Sequence, residues 1–154
     1  MNDRFDRIDE FILGNANADY PAAYLDHALR PRNAGNMEGA NGFAALSAHD
    51  GSAMQVWLRI DNGIIADASF WTEGCGSTIA CGSMTTEITK GKTLAEAFEI
   101  VPEEIDAALG GLPGEGCVCA KLATDTLKAA IRDYLAFKNE PWKRKYNHPG
   151  TSRM

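Results

Sequence analysis

The spacing of apolar positions changes character twice along the chain. Residues 1–18 are polar and mixed, and Gly14-Asn15-Ala16-Asn17 reads as a linker. Asp19 is placed to cap a helix that has Pro21 in its first turn. That helix carries Tyr24, Leu25 and Ala28. It must stop before Pro31, because proline disfavours helix at the residue before it. Residues 31–42 hold three Gly and three Asn and read as a loop. The period then becomes two. Met54, Val56, Leu58 and Ile60 alternate with Gln55, Trp57 and Arg59, which predicts a half-buried strand. Asp61-Asn62-Gly63 is a hairpin signal, since Asn and Gly tolerate positive φ. A partner strand follows, with Ile64, Ala66, Ala68 and Phe70 on one side, and residues 43–48 supply a third antiparallel strand.

After residue 76 the period lengthens to that of a helix. Ala80, Met84 and Ile88 recur every four residues, and Gly91 ends that helix. Thr93-Leu94-Ala95-Glu96 is a capping box. Pro102 opens a short helix that Gly110-Gly111 closes. Leu127, Ala130, Ile131, Tyr134 and Leu135 fall at i, i+3, i+4, i+7 and i+8, the signature of a long final helix. Strands first and helices after, with no βαβ alternation, predict an α+β fold.

Composition narrows the class. The chain has 154 residues, enough for one domain with a core that needs no disulfides. Hydrophobic residues at 45% and charged residues at 23% exclude a disordered or fibrous chain. No apolar run approaches the roughly 18 residues of a membrane span. Residues 1–6 show no basic region leading into an apolar stretch, so the expected location is the cytoplasm and no membrane partner is expected. A net charge of -6 argues against broad nucleic-acid binding. The charge is uneven. Residues 138–154 carry five Lys/Arg and one acid, a basic tail on an acidic body that reads as solvated.

The chemistry concentrates in the cysteines. In a reducing compartment Cys75, Cys81, Cys117 and Cys119 point to metal or thiol chemistry rather than to disulfides. Cys75 sits in Glu73-Gly74-Cys75-Gly76-Ser77, between a strand end and a helix start. Flanking glycines let the backbone turn and leave the sulfur uncovered, and a helix N-terminus favours thiolate. The plainer reading is a small residue in a turn. Cys117-Val118-Cys119 opens the last helix; if extended, both sulfurs face one side. With a third thiol they suit zinc or an iron–sulfur cluster. Cys81 lies about 600° further round the helix than Cys75 and reads as core. His49 and Asp50 precede the long strand and are possible metal ligands. His27 and His148 read as structural or solvated. The sequence has no phosphate-binding glycine loop, no nucleophile elbow and no zinc-protease His pair.

Several anchors, in order, resemble one family. They are His27-Ala28-Leu29-Arg30-Pro31-Arg32-Asn33-Ala34-Gly35, Gly74-Cys75-Gly76-Ser77-Thr78-Ile79-Ala80 and Lys90-Gly91-Lys92-Thr93-Leu94. Ala108-Leu109-Gly110-Gly111-Leu112-Pro113 and Lys128-Ala129-Ala130-Ile131 complete the set. From about Tyr24 to Phe137 the chain resembles the NifU/IscU-type iron–sulfur cluster assembly scaffolds. The resemblance implies a small antiparallel sheet of about three strands covered by helices, SufE/NifU-like. It implies residues 19–138 as the scaffold domain, 1–18 as an N-terminal extension and 139–154 as a tail. It implies a scaffold or carrier, not an enzyme, that builds and passes on a labile, transient [2Fe-2S] cluster. Its partners would be a cysteine desulfurase, an iron donor and apo iron–sulfur target proteins.

Carried over by position, the central cysteine is Cys75 and the last is Cys119, the implied sulfur acceptor. The family's first cysteine falls at Asp50 in Asp50-Gly51-Ser52, with His49 taking its place if one residue slips. Ser52 stands at the family's helper Asp, and Val118 at its helper His. Cys117 is extra and restores a third thiolate. The expected ligand set is Cys75, Cys117, Cys119 and Asp50, or His49. Leu112-Pro113-Gly114-Glu115-Gly116 departs from the chaperone-recognition Leu-Pro-Pro-Val-Lys, which speaks against that chaperone as a partner. Two other outcomes fit the same residues: a zinc-binding sulfurtransferase partner of a desulfurase, and a degenerate scaffold without a cluster.

Overall fold

The structure, a computed structural model, describes residues 20–112 and 116–138, the side chains of residues 116 and 117 excepted. Asp19, the N-terminal extension and the basic tail lie outside the described residues. In chain order the elements are α1 (Ala22–Leu29), β1 (Gly42–Ser47), β2 (Ala53–Asp61), β3 (Ile64–Thr72), α2 (Gly76–Thr89), α3 (Leu94–Phe98), α4 (Pro102–Ala108) and α5 (Gly116–Phe137). Pro21 is the N-cap of α1 rather than part of its first turn, and no side chain caps that helix. The three strands form one antiparallel sheet in the order β1-β2-β3. Helices α2 and α5 pack on the sheet and on each other, α1 packs on α2, and α3 and α4 pack on α5. This is the expected α+β sheet covered by helices.

The sheet's core side follows the alternation. Met54, Val56, Leu58 and Ile60 of β2 are all buried. Asn62 and Gly63 take positive φ of 55° and 77° and close the β2–β3 hairpin. The expectation for β3 fails at its start. Ile65, not Ile64, is buried, and Ile64 is exposed. The register shifts between Arg59, which faces Asp67, and Ile60, which faces Ile65. One extra residue in β3 reverses which side chains face the helices before the bulge.

Helix α2 also departs from the four-residue spacing. Its buried residues are Thr78, Ile79, Ala80, Cys81, Gly82, Ser83, Thr85, Thr86 and Thr89, so most of its circumference is covered. Small and hydroxylated residues allow this. The Thr86 hydroxyl donates back to the Gly82 carbonyl, 2.8 Å away, and satisfies itself inside the helix. In α5, Leu127, Ala130 and Ile131 are buried as expected, but Leu135 is exposed.

The register decides where loops meet. Met54 at the start of β2 pairs with Thr72 at the end of β3. The β1–β2 turn and the β3–α2 connection therefore emerge at the same end of the sheet. The Thr72 hydroxyl donates to the Ala53 carbonyl and accepts from the Gly74 N–H, stitching the two together.

Candidate functional site

Cys75 is the N-cap residue of α2, with extended backbone at φ -77°, and its sulfur is exposed. Three contacts hold this corner. The Tyr24 hydroxyl on α1 lies 3.1 Å from the Ser77 hydroxyl. The Thr72 hydroxyl holds Gly74 from the strand side. Thr78 packs under the corner: a Cβ on Gly74 would sit 2.7 Å from Thr78 Oγ1. Gly74 is thus needed for space and not for an unusual φ.

Cys119 reaches the same place from α5. Its thiol is buried, with Sγ 3.3 Å from Thr78 Oγ1, and the same oxygen lies 3.7 Å from Cys75 Sγ. One buried hydroxyl therefore links the two sulfurs. Sequence reading passed over Thr78, since the contact joins residues 41 apart.

The two thiols differ. Burial pushes Cys75 up, but the backbone N–H and hydroxyl of Thr78, the Ser77 N–H and Cys119 outweigh it, and the net shift is downward. These N–H groups belong to the first turn of α2, where a helix start favours thiolate. Burial is the chief cause that pushes Cys119 up; the Cys75 charge and the Asp50 carboxylate add to it. The resemblance implies Cys119 as the sulfur acceptor, and the shifts distinguish the two thiols without testing that role. Cys75 is both the more exposed and the more readily ionised of the pair.

Asp50 lies in the tight turn between β1 and β2. Gly51 N–H donates to the Ala48 carbonyl and Ala48 N–H to the Ser52 carbonyl. The Ser52 N–H donates to Asp50 Oδ1 at 2.9 Å and, as the largest cause, lowers the Asp50 carboxyl. The carboxylate is exposed and ionised, and its charge reaches Cys119. His49 is exposed beside it. Among the described residues no three His, Cys, Asp or Glu side chains stand close enough to hold a metal together. The structure brings Cys75 and Cys119 together through Thr78 and leaves Asp50 and His49 at the rim.

Cys117 is helical in its backbone, as are Val118 and Cys119. The condition under which both sulfurs face one side, an extended segment, is therefore not met. The Cys117 side chain lies outside the described residues. Cys81 is fully buried in the core, and burial pushes its thiol far up, so it is inert packing as expected. His27 is structural. The Ser83 hydroxyl accepts from the Arg32 N–H at 2.8 Å and lies 2.7 Å from His27 Nδ1. Burial lowers the His27 pKa and so favours the neutral ring.

A family profile described as the NifU-like N-terminal domain matches residues 19–141. The chain belongs to the NifU-like N-terminal domain family. Relatives at higher identity agree. The iron–sulfur cluster assembly scaffold protein IscU of Haemophilus influenzae is 43% identical over 122 residues, covering 76% of this chain and 96% of that one. The protein of the same name from Aquifex aeolicus is 42% identical over 120 residues, covering 76% of each chain. Among solved structures, a SufU protein of Fervidobacterium islandicum matches with a TM-score of 0.60 at 21% identity. It covers 76% of this chain and 99% of its own, and supports the fold.

Proposed function

We propose that this protein is a scaffold or carrier on which a labile [2Fe-2S] cluster is assembled and from which it is passed on. The observation that carries the reading is the pairing of Cys75 and Cys119 on one buried hydroxyl, at the sheet end where the Asp50 turn emerges, in a NifU-family chain. Cys75 and Cys119 supply thiolates, Asp50 (His49 in its place) supplies a further ligand, and Cys117 joins them as a third thiolate when the first turn of α5 opens, since residues two apart on a helix face different sides. Thiolate is the usual ligand of such clusters, and carboxylate is harder. A mixed set holds iron less firmly, which suits a donor.

Sulfur comes from a cysteine desulfurase. The Cys75 thiolate attacks the outer sulfur of the donor's persulfide. A new S–S bond forms on Cys75, the donor's S–S bond breaks, and the donor cysteine leaves as thiolate. Two electrons from an external reductant convert each transferred sulfur to sulfide. Iron is delivered by a donor, and apo target proteins receive the finished cluster. The protein is not itself an enzyme in this account, and it works in the cytoplasm.

Anaerobic reconstitution with iron and sulfide tests the reading. The expected product has the visible and Mössbauer spectra of [2Fe-2S]. Cys75→Ala abolishes it; an unchanged spectrum in that variant contradicts the assignment. A second reading rests on the Asp50 carboxylate, which zinc accepts beside Cys75 and Cys119. About one tightly held zinc per chain in the purified protein, with no cluster on reconstitution, favours that sulfurtransferase partner.

A further inference from the structure

Thr78 is fully buried in the first turn of α2. Three threonines deeper in the helices return their hydroxyl to the carbonyl four residues back, while the Thr85 and Thr89 hydroxyls are buried without a partner among the described residues. Thr86 does so to Gly82, Thr124 to Ala120 and Thr126 to Leu122. At Thr78 that residue is Gly74, which lies before the helix begins. The hydroxyl instead lies between Cys75 Sγ and Cys119 Sγ. Only glycine at position 74 leaves room for this side chain: a Cβ there would sit 2.7 Å from Thr78 Oγ1 and 2.9 Å from its Cβ. A hydroxyl has one proton. It donates to one sulfur, and the other sulfur either donates to it or goes without.

We infer that Thr78 is a positioning residue that ties Cys75 and Cys119 into one metal-binding unit and supports only one of the two sulfurs at a time. The inference rests on reading both cysteines as ligands. It makes the pair unequal by construction: the sulfur that accepts the hydroxyl proton is oriented and partly neutralised, and its partner is the freer ligand. Groups behind ligand atoms act this way in metal sites generally, orienting the ligand and tuning its basicity.

The test uses the full-length apo protein and Cd²⁺, which reports bound thiolates by a sulfur-to-metal charge-transfer band and needs no cluster. Cys75→Ala and Cys119→Ala each remove most of the band, which locates the probe. Thr78→Val keeps the shape and deletes the hydroxyl; Cd²⁺ affinity, read against a competing chelator, falls by about 10–100-fold. Thr78→Ser keeps the hydroxyl and restores affinity close to that of the parent. Affinity unchanged in Thr78→Val overturns the inference, and so does equal weakening in both variants, which marks a packing role. A band that survives both cysteine variants also overturns it. Thr78-dependent Cd²⁺ binding without [2Fe-2S] reconstitution sinks the cluster reading alone. Cluster formation with a parent-like Thr78→Val sinks this inference alone.

Discussion

At the scale of single residues, three sulfurs described in one small domain behave in three ways. Cys75 is exposed and shifted down, Cys119 is buried and shifted up, and Cys81 is sealed in the core. The thiolate is the reactive form, so a lowered pKa extends reaction to lower pH and a raised one confines it to higher pH. Alkylation followed cysteine by cysteine by mass spectrometry should therefore modify Cys75 first as pH is raised from acid, Cys119 later, and Cys81 only on unfolding. In urea the three should react alike; the same order in urea would show that the fold does not set it. Asp50 makes a second prediction. Asp50→Cys replaces a hard oxygen by a soft thiolate and should slow loss of a reconstituted cluster to a chelator. Faster loss in that variant would remove Asp50 from the ligand set.

At the scale of elements, the contact between α2 and β3 places the Cys75 corner. Gly82 lies against the Phe70 ring so closely that a Cβ there would overlap it. Gly82→Ala gains up to about 1 kcal/mol in helix propensity, but overpacking a core costs about 1–3 kcal/mol. The net effect should be a lower urea midpoint; a higher one would mean that α2 shifts freely on the sheet. The same elements show what the sequence could reveal. Met54 to Ile60 and the Asn62-Gly63 turn were readable because local alternation and local φ preferences decide them. The swap of Ile64 for Ile65 was not, because a bulge is a property of two strands and not of one. Burial around most of α2 was hidden too, since Thr, Ser, Gly and Cys carry little hydrophobic contrast. Leu135 matched the helical period, yet that stretch of α5 leaves it exposed.

At the scale of the whole molecule, chain order and register bring the site together. The β1–β2 turn and the β3–α2 connection share one end of the sheet, and α5 delivers Cys119 there from 44 positions after Cys75. Motif order made Cys75, Cys119 and Asp50 visible as candidates. Thr78 was not visible, because its role depends on a helix that starts 38 residues later. Among the described residues no helix is long and apolar enough to cross a membrane. The central claim is that this arrangement assembles a cluster and gives it up. The most direct test is anaerobic reconstitution followed by mixing with an apo [2Fe-2S] acceptor, with both proteins followed by visible and Mössbauer spectra. The account predicts a [2Fe-2S] signal on this protein that moves to the acceptor and is absent in Cys75→Ala. A chain that takes up no iron–sulfur cluster, or one whose cluster forms equally well without Cys75, contradicts it.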